Sequence, residues 1–215
     1  MKKNVLYLCI VILLNLSLLA QAGQPRIVHG EEKSAIHVPP QEAPATLKAI
    51  YRNLGVSKTD LYLDNRGWVV AGPNSSQDPE SIGMPFIPKS ASHVLQVRVA
   101  LQYGGSGANQ INLNLYDDAG GVPGTLLAGP VTVTDLPDYG TCCTLAIANF
   151  SSVAVSGGAQ YWVVADTPLT GTGSDSFALW DFVITTIPVA ATNGSVWELI
   201  DGDLRPAGEV LGTIP

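Results

Sequence analysis

Between Arg98 and Arg205 the chain has no lysine and no arginine. Nucleic acid and anionic membranes are gripped by clustered cations that release counterions, so a cation-free stretch this long excludes both as expected partners. Over the whole sequence 11 basic residues stand against 18 acidic ones, a formal charge of −7, and two of the basic residues, Lys2 and Lys3, lie at the extreme N-terminus. Histidine is scarce too: His29, His37 and His93 are the full complement. An acyl-transfer triad needs a base beside its serine. Only His93 falls where a fold is expected, at a strand end in phase with Leu95 and Val97, where it reads as covering the core edge. No G-x-S-x-G occurs, and "GGSGA" at Gly104–Ala108 reads as a turn between strands rather than a nucleophile elbow. With neither H-E-x-x-H nor C-x-x-C, zinc has no site of ordinary spacing. No repeat of fixed period is present, which argues against a solenoid or a propeller.

The N-terminus carries a targeting pattern. Lys2 and Lys3 precede an apolar run from Val5 to Ala20, interrupted only by Asn15 and Ser17, and Ala20-Gln21-Ala22 is a small-x-small cleavage site before Gly23. This predicts a signal peptide over residues 1–22, export, and a mature chain that loses Cys9 and two cations. No later stretch is apolar enough to span a bilayer, so no membrane span is expected after cleavage. Residues 23–44, "GQPRIVHGEEKSAIHVPPQEAP", are rich in proline and charge without an apolar period and read as a flexible leader, with His29 and His37 solvated in it.

From about residue 45 the chain reads as one domain to Pro215. "ATLKAIYRNLG" places Leu47, Ile50, Tyr51 and Leu54 at i, i+3, i+4 and i+7, with Thr46 and Gly55 as caps, which is the pattern of a short amphipathic helix. Beyond Asp60 the period changes to two. "HVLQVRVALQY" sets Leu95, Val97, Val99, Leu101 and Tyr103 on one face and Gln96, Arg98 and Gln102 on the other. "QINLNLYD" sets Ile111, Leu113 and Leu115 inward and Gln110, Asn112 and Asn114 outward. Further alternating runs follow in "PVTVTDL", "AQYWVVADT", "SFALWDFVI" and "SVWELI", joined by Gly, Asn, Asp and Pro turns. Strands so spaced predict an all-β, antiparallel two-sheet sandwich, jelly-roll-like, with one solvated face per sheet.

The order "IYRNLG", "GWVVAGP", "MPFIP", "LNLYDDAGGVPGTLL", the cysteine pair, "YWVVADT", a closing tryptophan and "PAGEVLGT" resembles the bacterial choice-of-anchor R type of exported β-sandwich domain, over about Leu47 to Thr213. The resemblance implies that "AIYRNLG" enters the first strand of the sandwich, against the helical period; strand is favoured here. Many members of that group carry a C-terminal sorting or anchoring signal. This chain ends at Gly212-Thr213-Ile214-Pro215 without an apolar tail or basic end, so a freely soluble product is expected. The group brings no chemistry that transfers to particular residues.

Loop carboxylates are the main chemical resource. Asp117-Asp118, Asp135 with Asp138, and Asp201 with Asp203 all fall in turn-rich segments. A glycosidase needs two carboxyls facing across a cleft, and calcium favours loop oxygens, but aspartate in a turn is first a turn former. No cofactor is expected; a structural calcium at Asp117, Asp118, Asp201 and Asp203 is the alternative. Trp68, Trp162, Trp180 and Trp197 offer flat rings for sugar stacking or for the core. Trp162 shares a face with Val164 and Asp166, opposite Tyr161, Val163 and Ala165. If Val163 is inward, Trp162 is a platform, with Asn112 and Asn114 as a polar ladder.

"YGTCCTLAI" sets two thiols side by side with no other cysteine in the mature chain. Strand alternation puts Cys143 inward with Leu145 and Ile147, and Cys142 on the other face. Two readings stay open: a disulfide between Cys142 and Cys143, tolerable if the pair enters the strand from a turn, or a buried Cys143 beside a free or intermolecularly paired Cys142. Together these features predict an exported, non-catalytic β-sandwich, a surface or extracellular module whose partners are glycans or other surface polymers. A secreted glycoside hydrolase working through loop carboxylates and a purely structural matrix protein are the alternatives.

Overall fold

Period-two sequence builds most of the strands, and among the described residues there is no helix. The computed structural model describes residues 25–29, 36–39, 41–55, 61–184 and 188–215, with the side chains of His29 and His37 excepted; the signal-peptide segment lies outside the described residues. In chain order the strands begin with β1 (Ile27–His29), β2 (Ile36–His37), β3 (Lys48–Arg52), β4 (Leu63–Ala71), β5 (Ser81–Phe86) and β6 (Ser92–Val99). Then come β7 (Leu101–Tyr103), β8 (Gln110–Asp118), β9 (Pro123–Thr134), β10 (Thr141–Cys142), β11 (Ala146–Val155) and β12 (Tyr161–Asp166). The last five are β13 (Phe177–Ile184), β14 (Val189–Thr192), β15 (Glu198–Ile200), β16 (Leu204–Pro206) and β17 (Gly208–Thr213).

One layer is a six-stranded antiparallel sheet in the order β15-β14-β5-β12-β8-β9. The other layer joins a four-stranded sheet, β11-β6-β17-β3, to a five-stranded one, β1-β4-β13-β16 with β7 also on β13. The core lies between the layers. Ile82, Met84, Ile111, Leu113, Leu115 and Val163 from the first meet Trp68, Val97, Val99, Trp180, Phe182 and Val210 from the second. Each such side chain contributes roughly 1.5–3 kcal/mol by leaving water. The protein is therefore an all-β, antiparallel β-sandwich.

The two sheets of the second layer meet at Ala100, Asp181 and Ala207. Ala100 N donates to Ala207 O (3.0 Å), Ala207 N to Asp181 O (2.8 Å) and Asp181 N to Ala100 O (2.9 Å). The chain passes from one sheet to the other at Ala100 and again at Ala207. The run from His93 to Tyr103, which alternates as one strand, is thus two, β6 and β7, in different sheets. Register shifts opposite both neighbours of β6 fall between Val94 and Gln96. The extra residue at this bulge brings Val94 rather than Leu95 into the core and leaves His93 exposed, not covering the core edge. His93 Nδ1 lies 3.2 Å from Ser152 Oγ.

"KAIYR" is strand β3, paired with β17, and its helical period is overridden because Ile50 enters the sandwich core while Leu54 enters a separate cluster. Parts of the leader expected to be flexible are docked. Ile27–His29 pair with Trp68–Arg66 of β4, and Ile36 and His37 pair in parallel with Thr141 and Cys142.

The segment carrying the cysteines crosses the outer face of the second layer. Tyr62 Oη donates towards Thr144 O (3.0 Å), and Gln102 Nε2 donates to Thr141 O (2.9 Å) while its Oε1 accepts from Gly140 N (2.7 Å). Cys142 and Cys143 are joined to each other by a disulfide, and the peptide bond between them is cis. Both are fully buried, with Leu54, Leu61, Tyr62, Ala100, Leu145 and Ala207. The inward–outward split assigned to the pair is corrected accordingly, because a covering segment and not a two-sided strand holds it. In β11 it is Ala146, Ala148 and Phe150 that face the core, and Ile147 that does not. Because both sulfurs are buried, the native protein is expected to keep this bond in millimolar reductant. It should yield both thiols to alkylation only after unfolding, which intact mass reads. Rapid alkylation of the folded, reductant-treated protein would contradict this packing.

Candidate functional site

The outer face of the six-stranded sheet follows from register. Leu199 lies opposite Ala190, Ala190 opposite Gly83, Gly83 opposite Val164, and Val164 opposite Asn114. These alternate with the core residues, so they face out. One row along, Pro85, Trp162, Tyr116 and Leu126 are cross-strand neighbours. One row the other way, Thr192 opposes Ser81, and Asp166, Asn112 and Thr132 are aligned on β12, β8 and β9. The face thus carries an apolar row with two aromatics, a central row of mostly small residues, and a polar row.

Trp162 is on this face but is 1% exposed, so it is not the open stacking ring that its phase suggested. The ring lies across Gly83, where a Cβ would come within 3.2 Å of Trp162 and 3.3 Å of Pro123. Pro123 belongs to the tip of the β8–β9 hairpin. Gly120 and Gly121, with φ of 75° and 98°, let that tip turn over the sheet, and a Cβ on Gly121 would lie 3.5 Å from Leu199. Asp118 fixes the arrangement: its Oδ1 accepts from Trp162 Nε1 (2.8 Å) and Gln160 Nε2 (2.7 Å), and its Oδ2 from Gly121 N (3.0 Å). Burial pushes the Asp118 carboxyl up, but the hydrogen bonds from Trp162, Gly121 and Gln160 together outweigh it and hold the pKa below the ordinary value.

Asn112 and Asn114 face outward and yet are buried, because they serve protein groups rather than water. Asn114 Nδ2 donates to Asp166 Oδ2 (3.0 Å), and Thr132 Oγ1 donates to Asn112 Oδ1 (2.8 Å). Both amides favour the ionised form of Asp166, but burial is the larger influence and lifts that carboxyl to about 6. The Tyr116 phenol is raised by burial and then by the charge of Asp166. Trp197 packs half-buried against Trp162, Val164 and Ala190. Leu126, Val196 and Leu199 around the face are exposed. None of the six strands contains Lys, Arg or His.

Trp162, Asn112 and Asn114, the platform candidates of the sequence, are gathered on one face, but in supporting positions. Asp166, Tyr116 and Trp197 are the groups left partly open there. The shared phase of Asp166 with Trp162 is the sequence signal that points to it. Of the other loop-carboxylate candidates, Asp117 lies at the end of β8, and Asp135, Asp201 and Asp203 lie outside the strands. Asp117 Oδ1 accepts from Thr125 N, Asp135 Oδ2 accepts from Thr134 Oγ1, and Asp201 and Asp203 are exposed. Among the described residues no group of three or more His, Cys, Asp or Glu side chains could hold a metal ion. A cavity of about 330 Å³ opens between the end of β9 and the start of β11, bordering the polar row at Thr132 and lined also by Leu136, Thr144 and Ile147 among others. Comparison of the chain with protein-family models, with curated proteins and with solved structures finds no match.

Proposed function

We propose that the protein is an exported, non-catalytic β-sandwich of the choice-of-anchor R kind that binds a glycan or related surface polymer on the outer face of its six-stranded sheet. The observation that carries this reading is the pairing of two rows on one face. Tyr116 and Leu126 lie in the apolar row, and Leu199 of the central row with Trp197 just before β15 adds apolar surface at the opposite edge of the sheet. Asp166, Asn112, Thr132, Ser81 and Thr192 form a hydrogen-bonding row. A pyranose ring has an apolar C–H face and polar edges, and such a surface matches both. Trp162, Val164 and Ala190 in the middle of the face are buried and the β8–β9 hairpin tip lies over Gly83, so the surface open to a ligand is the part around Asp166, Tyr116 and Trp197. The N-terminal targeting pattern supports export.

The test is a glycan array probed with the exported protein. Retention of at least one polysaccharide is expected, with Tyr116→Ala and Trp197→Ala each weakening it tenfold or more while circular dichroism stays unchanged. No binding to any glycan, or binding indifferent to both substitutions, would remove the reading. Release of reducing ends from a bound polysaccharide would instead make the protein a hydrolase.

A further inference from the structure

We propose that the occupant of this face is a cationic amino-sugar polymer whose ammonium group docks on the Asp166 carboxylate. The inference rests on the glycan reading and adds the charge of the ligand. Asp166 is partly buried, and the groups that favour its charge are the neutral amides of Asn112 and Asn114. The amide oxygen of Asn112 is itself occupied by Thr132. None of the ion pairs among the described residues includes Asp166. No strand of its sheet carries a cation that could reach it by a change of rotamer.

A carboxylate withdrawn from water without a counter-charge is costly, and here the pKa lifted to about 6 reflects that cost. A ligand ammonium would supply the missing charge. A neutral sugar would leave it missing, and an anionic polysaccharide would meet Asp166 and Asp118 on one face with no cation to offset them. Tyr116 completes the fit. Its phenol is near enough to Asp166 to feel the carboxylate charge, and its side chain is left partly open on the same face.

Titration calorimetry at pH 6.5 and physiological salt separates the possibilities, with β-1,4 glucosamine oligomers, their fully N-acetylated counterparts, neutral glucan oligomers and oligolysine as probes. Glucosamine oligomers are expected to bind at least tenfold more tightly than the N-acetylated ones. Asp166→Asn is expected to erase that preference, whereas Asp78→Asn, which removes an exposed charge paired with Arg26 outside the six strands, keeps it. Asp166→Asn removes a desolvated charge, so the variant should fold, and its melting curve verifies this. Equal binding of amine and N-acetyl forms, or a preference that survives Asp166→Asn, overturns the inference while leaving the glycan reading in place. Oligolysine binding with the same dependence on Asp166 overturns it as well, since an amine without a sugar would then suffice. Binding of no oligosaccharide at all sinks both.

Discussion

At pH 5 the protein is expected to melt on the order of 10 °C higher than at pH 8. Three carboxyls withdrawn from water drive this, Glu80 and Asp181 buried and Asp166 partly so. Glu80 is lifted to about 7 by burial, against the opposing backbone N–H and charge of Arg26. Asp166 is lifted to about 6, also by burial. Asp181 is raised well above its ordinary value of 3.8, first by burial and then by the charge of Asp64, with the Gln102 amide acting the other way. Neither carboxylate oxygen of Asp181 receives a hydrogen bond of ordinary geometry. Each of these groups holds its proton more tightly folded than unfolded. Its stabilisation is therefore complete below the unfolded pKa and drains away as pH climbs to the folded one. For Glu80 that window runs from 4.5 to about 7, and for Asp166 from 3.8 to about 6. At about 1.4 kcal/mol per pH unit, the two together lose on the order of 4 kcal/mol between pH 5 and pH 8. For a domain of this size each kcal/mol moves the melting temperature by about 2–4 °C. Asp118 works in the opposite direction, since its folded pKa is depressed. Asp181→Asn keeps the shape and removes one ionisation, so it should raise the melting temperature at pH 8 and flatten the slope. A wild-type melting temperature that is level, or rises, from pH 5 to pH 8 would contradict the burial of these groups.

Local pattern suffices wherever a strand has one neighbour pattern and one core. Ile111, Leu113 and Leu115 alternate cleanly and all three sit in the core, with Asn112 and Asn114 on the opposite face. The turns of "DDAGGVPG" are legible for the same reason: Asp118 and the two positive-φ glycines act within a few residues of one another. Pattern fails where a distant segment decides. Phase places Gln102 outward, but it is fully buried because residues 139–144 lie across that side of the sheet. Phase places Arg98 outward too, and its acidic partner is 111 positions away. The bulge at Leu95 and the sheet switch at Ala100 leave the period of two almost intact in the sequence while changing what each residue faces. In the candidate site the co-facial set is legible from alternation alone. The burial of Trp162 is not, since it depends on Pro123 folding back across three strands.

Glu209→Gln is expected to destabilise the protein by about 3–5 kcal/mol, enough to lower the melting temperature by roughly 10 °C. Glu209 lies opposite Arg98 on β6 and opposite Arg52 on β3, so one carboxylate serves two guanidinium groups across three strands. Its Oε1 accepts from Arg98 Nη1 at 2.9 Å and its Oε2 from Arg52 Nη1 at 2.8 Å. Glu209 and Arg98 are almost wholly buried, while Arg52 is 43% exposed. Arg98 also donates from Nη2 to the Gln41 carbonyl, which ties the end of the leader to this network. With glutamine at the acidic position, Arg98 keeps its charge in a dry site with no anion beside it, and that uncompensated charge is the main cost. Arg52 can turn to water and loses little. The informative second change is therefore at Arg98. Adding Arg98→Met to Glu209→Gln removes the stranded charge and fills much of the space of the side chain, so most of the lost stability should return. Chemical denaturation of the two single variants and the double variant measures the coupling directly. A Glu209→Gln cost below about 0.5 kcal/mol would mean that water reaches this triad and that the pair behaves as an exposed one.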